Sequence, residues 1–550
     1  MNTHNFVVLT VLAALSSSTP LSAHEDEQPR PLGNEKLGEV NFPISCSAEA
    51  KQEFNRGVAI LHSFYYPDAL KSFTKVTEID SSCAMGYWGI AMSSWYPLWF
   101  APSKATLLQG RTALERAKSA SAKTDREREY VAAISVFYED FERLDHKARA
   151  LRYEKAMEQL HLRYPDDQEG TAFYALALQA AADPNDKTYA KQMKSGAMLE
   201  KLYLQLPNHP GAAHYLIHAY DYPELAPRAL EAARHYGQIA PSMPHALHMP
   251  SHTYIALGLW QDSIQSNLAA NAAAKKLGWL QEELHTLDYL VYAYLQGGQD
   301  EAAVGIKRKL DLFEITEKHT LGMDYAIAAA PARVSVERRR WSDAAALAPR
   351  SSEFPATVAV TYYARALGAA RSGAPGQAQK DVEKLAELRD TLLNAKQEYW
   401  AKQVEIQRQT VLAWLAWAKA ENETALRTMR AAAELEDSSY KNPVMPAYIL
   451  PARELLGDLL MELHEPAQAL AEYEASLRAV PNRFNGLYGA AQAAQQAGNA
   501  EKAKLYYAQL LDLCEKADSE RPELQQARTF LALLSDKQVL WETRSQGDLN

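Results

Sequence analysis

Imidazoles are crowded into one stretch of this 550-residue chain. Of its 15 histidines, seven lie between residues 209 and 252: His209, His214, His218, His235, His245, His248 and His252. His214 and His218 are four apart, as are His248 and His252, so on a helix each pair shares one face. The second pair follows the first by 34 residues, which makes "AHYLIHAYD" and "LHMPSHTYI" equivalent parts of two successive units. Asp221 extends the first face and His245 the second. A third unit, "LHTLDYLVYAYL", aligns with them if Gly298 marks its turn as Gly258 marks the preceding one. His285, Asp288 and Tyr292 then correspond to His245, His248 and His252. Pro250 cannot donate to the carbonyl of Ala246, so it kinks the second helix or marks a late start.

Several imidazoles at close quarters resist simultaneous protonation, and neutral imidazole is a metal ligand. Combined with carboxylate it suits Zn²⁺, Cu²⁺, Ni²⁺ or Fe²⁺. The expected metal ligands are His214, His218, His248, His252, His285, Asp221 and Asp288, with nearby tyrosines, Tyr215, Tyr220, Tyr222, Tyr254 and Tyr289, orienting them. Two other readings of the same residues stay open: a hydrogen-bonded polar layer, and direct contact with an organic ligand. Neither pair has the glutamate of a zinc-peptidase HExxH, and there is no Gly-rich phosphate loop or GxSxG elbow. Asp221, Asp288 or Glu282 would be the general base if a metal-bound water reacts here.

The elements that position these residues read as helix after helix, with apolar residues at helical spacing and Gly or Pro at the breaks. The period is clearest near the C-terminus. Ala469 and Ala503 are equivalent small residues 34 apart, and Tyr473 and Tyr507 keep the same offset. Ser195, Ala229 and Ser263 repeat the stride, as do Pro207 with Pro241 and Ala344 with Ala378. A 34-residue helix–turn–helix unit stacks into a solenoid, each unit burying its stripe on its neighbours. About twelve helix pairs are expected, ending in a capping helix near 522–535. The segments are a lead-in at 24–45, N-terminal pairs at 46–206, the His-rich centre at 207–315, degenerate repeats at 316–447, and C-terminal repeats with the cap at 448–550.

These features resemble the tetratricopeptide repeat superfamily, most clearly over 450–516. The resemblance implies an all-α, right-handed superhelix whose first helices line a concave groove, with ligand contacts commonly at positions 2, 5, 9 and 12 of the repeat. His214, His218 and Asp221 fall at 5, 9 and 12, and His245, His248 and His252 at 2, 5 and 9. A protein or peptide partner is thereby implied, or a small ligand, in a groove lined by His245, Tyr254, Tyr292, Trp88 and Trp95. Trp88 and Trp95 are seven apart in "CAMGYWGIAMSSWYPLWFAP" and share a helix face; they serve either repeat core or an aromatic end of the groove. Stretches such as "TDREREYVAA", "GAAHYLIHAYDYPELA" and "PHALHMPSHTYIALGLWQDSI" resemble a bacterial subfamily of exported repeat proteins, which implies fold and export but no reaction.

Export is also read from the N-terminus. "FVVLTVLAAL" (6–15) is an apolar core followed by small residues and a cut expected after Ala23. It is too short to span a bilayer, and no later stretch is apolar enough to do so. A periplasmic or secreted setting is oxidising. Cys46 and Cys83, each before a helical segment, are then expected to form a disulfide, the alternative being two small core residues. The net charge of −10 with no basic stripe argues against a nucleic-acid partner. The leading expectation is an exported binding or scaffold protein with a divalent transition metal at its His cluster. The competing one is a metal-dependent hydrolase or oxidase using the same centre.

Overall fold

A computed structural model describes residues 35–98, 101–120, 122–313 and 319–547, with side chains to residue 534. The export signal expected at 1–23 and most of the expected lead-in lie outside these residues. Among the described residues the helices fall into twelve consecutive pairs, from Ala48–His62 with Tyr66–Ile79 to Phe484–Gln496 with Ala500–Leu513, followed by a last helix, Pro522–Gly547. The fold is an all-α, tetratricopeptide-like solenoid. None of the described helices is long and apolar enough to cross a membrane.

Local chemistry explains the helix ends. Pro210, Pro244, Pro250, Pro355 and Pro466 sit in first turns, where the missing N–H costs nothing. Thr124 and Glu127 close a reciprocal cap on Asp125–Tyr138. Gly258, Gly278 and Gly298 take positive φ at the turns between central helices. The 34-residue stride marks small residues packed inside: Ser195, Ala229, Ser263, Ala344, Ala378, Ala469 and Ala503 are all fully buried. Tyr473 fills the gap between successive units, lying against Gly457 and Gly489, where an added Cβ would come within 2.8 and 2.4 Å of its ring.

The solenoid is tied back on itself. Trp260 Nε1 donates to the carbonyl of Asn482 at 2.7 Å, and Arg483 pairs with Glu337 and Glu454 while donating to Tyr292. Between the helices Asn422–Asp437 and Ala452–Glu462 the chain runs without helix against the central repeats. There Arg333 donates to the carbonyls of Ala447 and Tyr448, and Tyr289 to that of Pro443. A disulfide joins Cys46 to Cys83, and Cys514 is a buried free thiol pushed up to about 12 by burial.

Candidate metal centre

Three helical segments carry the histidines: Pro210–Ala219, the broken Pro244–His248 and Pro250–Ala256, and Leu280–Gln296. Pro250 does break its helix, at Met249. Beside the break, the Leu247 carbonyl accepts from Ser266 Oγ. The imidazoles form one contiguous array with two subsets. In one, His214, His218 and His245 each offer a ring nitrogen within 4.8 Å of the others; in the second, His248, His252 and His285 do the same.

A constant stagger produces these trios. His245 follows His214 by 31 residues and His285 follows His248 by 37, each three short of the repeat offsets of 34 and 40. Neighbouring first helices therefore meet about one turn out of repeat register. Each H-x3-H pair gains its third imidazole from the next helix. Glu282 meets His245 and Tyr289 meets His252 with the same offset of 37.

The second trio has a specific electrostatic problem. His252 Nδ1 is 2.9 Å from Asp221 Oδ2, an acceptor, so its proton is on Nδ1. His248 Nδ1 is 2.7 Å from Asn267 Oδ1; the Asn267 amide donates its Nδ2 to the Ser263 carbonyl, so Oδ1 must face the ring and Nδ1 carries the proton there too. Both Nε2 atoms are then bare lone pairs, and they face one another at 3.1 Å. Tyr289 Oη lies 3.2 Å from His252 Nε2, but its proton goes to the Pro443 carbonyl at 3.0 Å. It supplies a third lone pair rather than a donor. Burial pushes His248 down to about 4 and takes His252 and His285 well below the ordinary imidazole value, with the neighbouring rings adding to the effect.

A third cluster contrasts with these. Glu169 lies between His62 and His209, with Nε2 contacts of 2.9 and 3.0 Å to its two oxygens. His62 Nδ1 accepts from Tyr215 Oη at 2.8 Å, and His209 Nδ1 from the Ala212 N–H at 3.1 Å. Every ring nitrogen is paired. Burial alone would raise the Glu169 carboxyl, but the two imidazoles outweigh it and hold it below its ordinary value.

The expected ligands divide. His214, His218, His248, His252 and His285 come together, joined by His245, which was expected to line a groove. Asp288 does not join them: Arg333, itself fully buried, takes its Oδ1 at 3.1 Å. Asp221 stands behind His252 as its orienting carboxylate, 3.8 Å from Lys441 Nζ, and burial raises its pKa against the pull of Lys441. The groove residues are packed inside. Trp88 meets Phe42, Phe54, Phe73, Tyr130 and Phe173, and Trp95 meets Phe137 and Tyr153. Tyr292 lies edge-on to Trp260 and bonds Arg483, and Tyr254 is buried. All four are repeat core, where a helical stripe of aromatics fills space between units. His62, Glu169, Asn267 and Lys441 complete the surroundings and carry no repeat signal of their own.

A cleft of about 270 Å³ opens beside the array. Its walls include His218, Asp221, Gln179, Tyr222 and Lys441.

No family model matches the chain, and no curated protein does. Solved structures similar to it include a monomeric mutant of IFIT1 with Gppp-AAAA, 12% identical, with a TM-score of 0.38 over 84% of this chain and 100% of that one. Yeast Tom70 is 13% identical, with a TM-score of 0.34 over 89% of this chain and 96% of that one. A tetratricopeptide repeat protein from Parabacteroides merdae is 14% identical, with a TM-score of 0.28 over 54% of this chain and 99% of that one.

Proposed function

We propose that this chain is an exported helical-repeat protein that binds a divalent transition metal (zinc, copper, nickel or iron) through His248, His252 and His285. One observation carries the reading: the two bare Nε2 atoms 3.1 Å apart, each ring fixed from behind through its Nδ1. Two unprotonated nitrogens facing each other repel. On one tetrahedral ion with bonds of 2.0–2.1 Å they would stand about 3.3 Å apart. The outer hydrogen bonds to Asp221 and Asn267 are those that orient metal-bound imidazole. Neutral rings at physiological pH are in the state a metal requires. The apolar stretch ahead of Ala23 and the Cys46–Cys83 disulfide support export to an oxidising compartment.

The segment carrying Lys441, Pro443, Ala447 and Tyr448 lies against the central first helices. This favours a small ligand over an extended peptide at the centre; a protein or peptide partner would dock elsewhere on the solenoid. A second reading, metal-dependent hydrolase or oxidase, is favoured by the cleft that reaches His218 and Asp221. The test is elemental analysis of the purified chain after dialysis against Zn²⁺ or Cu²⁺, beside a His248→Ala, His252→Ala variant of unchanged helicity. Stoichiometric metal in the wild type and none at this trio in the variant is expected. A wild type that retains no ion ends the proposal.

A further inference from the structure

We infer that His214, His218 and His245 hold a second metal ion, so that the centre is binuclear, with this second ion at the floor of the cleft. This rests on metal binding at the neighbouring trio and extends it. The first trio has its own outer shell. His214 Nδ1 donates to the carbonyl of His62 at the end of the Ala48–His62 helix, which leaves His214 Nε2 buried with no hydrogen-bond partner. His245 Nδ1 is 3.1 Å from Glu282 Oε1. The Glu282 carboxyl oxygen takes the Nδ1 side of the ring and leaves Nε2 as the ligand atom, an arrangement that orients a metal-bound imidazole.

The three rings lie 4.7, 5.0 and 6.3 Å apart, centroid to centroid, with ligand nitrogens all within 4.8 Å. They stand beside the other trio, His245 at 6.1 Å from His248 and His218 at 6.4 Å from His252. The buried carboxylates of Glu282 and Asp221 border the array and offset part of the added positive charge. The cleft reaches one trio and not the other: His218 forms part of its wall, whereas His248, His252 and His285 do not line it. Three imidazole ligands leave a position for an exchangeable fourth ligand. On the cleft-side ion that position is open to water or a small monodentate anion.

The experiment is equilibrium dialysis of the full chain against Co²⁺, followed by metal quantification and visible spectroscopy with added azide. Two ions per chain are expected in the wild type. One should remain in His214→Gln, His245→Gln and one in His248→Gln, His252→Gln. Azide should change the spectrum of the wild type and of the second variant, but not of the first. If circular dichroism shows that the first variant does not fold, His218→Gln, at the cleft wall, replaces it with the same expectation. A wild type with one ion, unaffected by His214→Gln, His245→Gln or by His218→Gln, overturns the second site and leaves the first standing. A wild type with no ion overturns both.

Discussion

The His62–Glu169–His209 cluster and the His248–His252–His285 cluster are alike in size, yet they solve opposite problems. In the first, a carboxylate sits between two imidazoles and accepts from both, while Tyr215 and the Ala212 N–H satisfy the far nitrogens. In the second, the acceptors Asp221 and Asn267 stand outside the rings, and the bare nitrogens point at each other. The position of the acceptor decides the chemistry. Placed centrally, it closes a network that needs nothing further. Placed peripherally, it presents lone pairs that call for a Lewis acid.

The comparison breaks most readily at the closed cluster. Glu169→Ala removes the central acceptor and strands two buried imidazole donors; a loss of about 3–5 kcal/mol in denaturant-derived stability is expected, with metal content unchanged. Equal loss of metal would dissolve the distinction. At the open cluster the largest effect is on ligand linkage. Zn²⁺ at a hundredfold excess over its Kd should stabilise the wild type by about 2.7 kcal/mol, raising the thermal midpoint. The His248→Ala, His252→Ala protein should lose the share of that gain contributed by this trio. Asp221→Asn keeps the shape but weakens the orienting acceptor of His252. It should reduce affinity at this trio about 10–100-fold by competitive chelator titration, with helicity retained.

The gentlest test is acid. His248, at about 4 in the folded chain against 6.5 unfolded, binds fewer protons when folded. The stability it contributes is therefore present above pH 6.5 and is lost as pH falls towards 4. Each histidine kept neutral in this way adds a slope of about 1.4 kcal/mol per pH unit. Metal-free protein followed by urea titration from pH 7 to 4 should steepen in that window, and bound metal should leave with the same protons. A flat profile would mean that the open cluster does not hold its imidazoles neutral in the folded chain.

Much of this was legible in the primary structure, for a definite reason. A fixed stride writes helix pairs, small contact residues and equivalent histidines into the chain, so the solenoid and five of the six clustered histidines follow from counting. The stagger of about one turn between neighbouring helices is not written there. It arises from how side-chain ridges pack, and it assigns His245 to the first trio and His285 to the second. Asp288 misled because its partner, Arg333, lies on a later helix that no local spacing connects to it. Trp88 and Trp95 misled because an aromatic stripe has the same period whether it faces a groove or the core. The closed cluster was invisible because Glu169 lies 107 residues from His62 and 40 from His209, neither a multiple of the 34-residue stride.

The stretch that brings Lys441 and Pro443 over the histidines has a consequence for how the protein matures. It is made long after the imidazoles beneath it, and the repeats between them belong to another part of the coil. While the later repeats are still unfinished, the array stands uncovered. Loading would be quickest in that interval, and the late-arriving strap would turn an easily reached site into a slowly exchanging one.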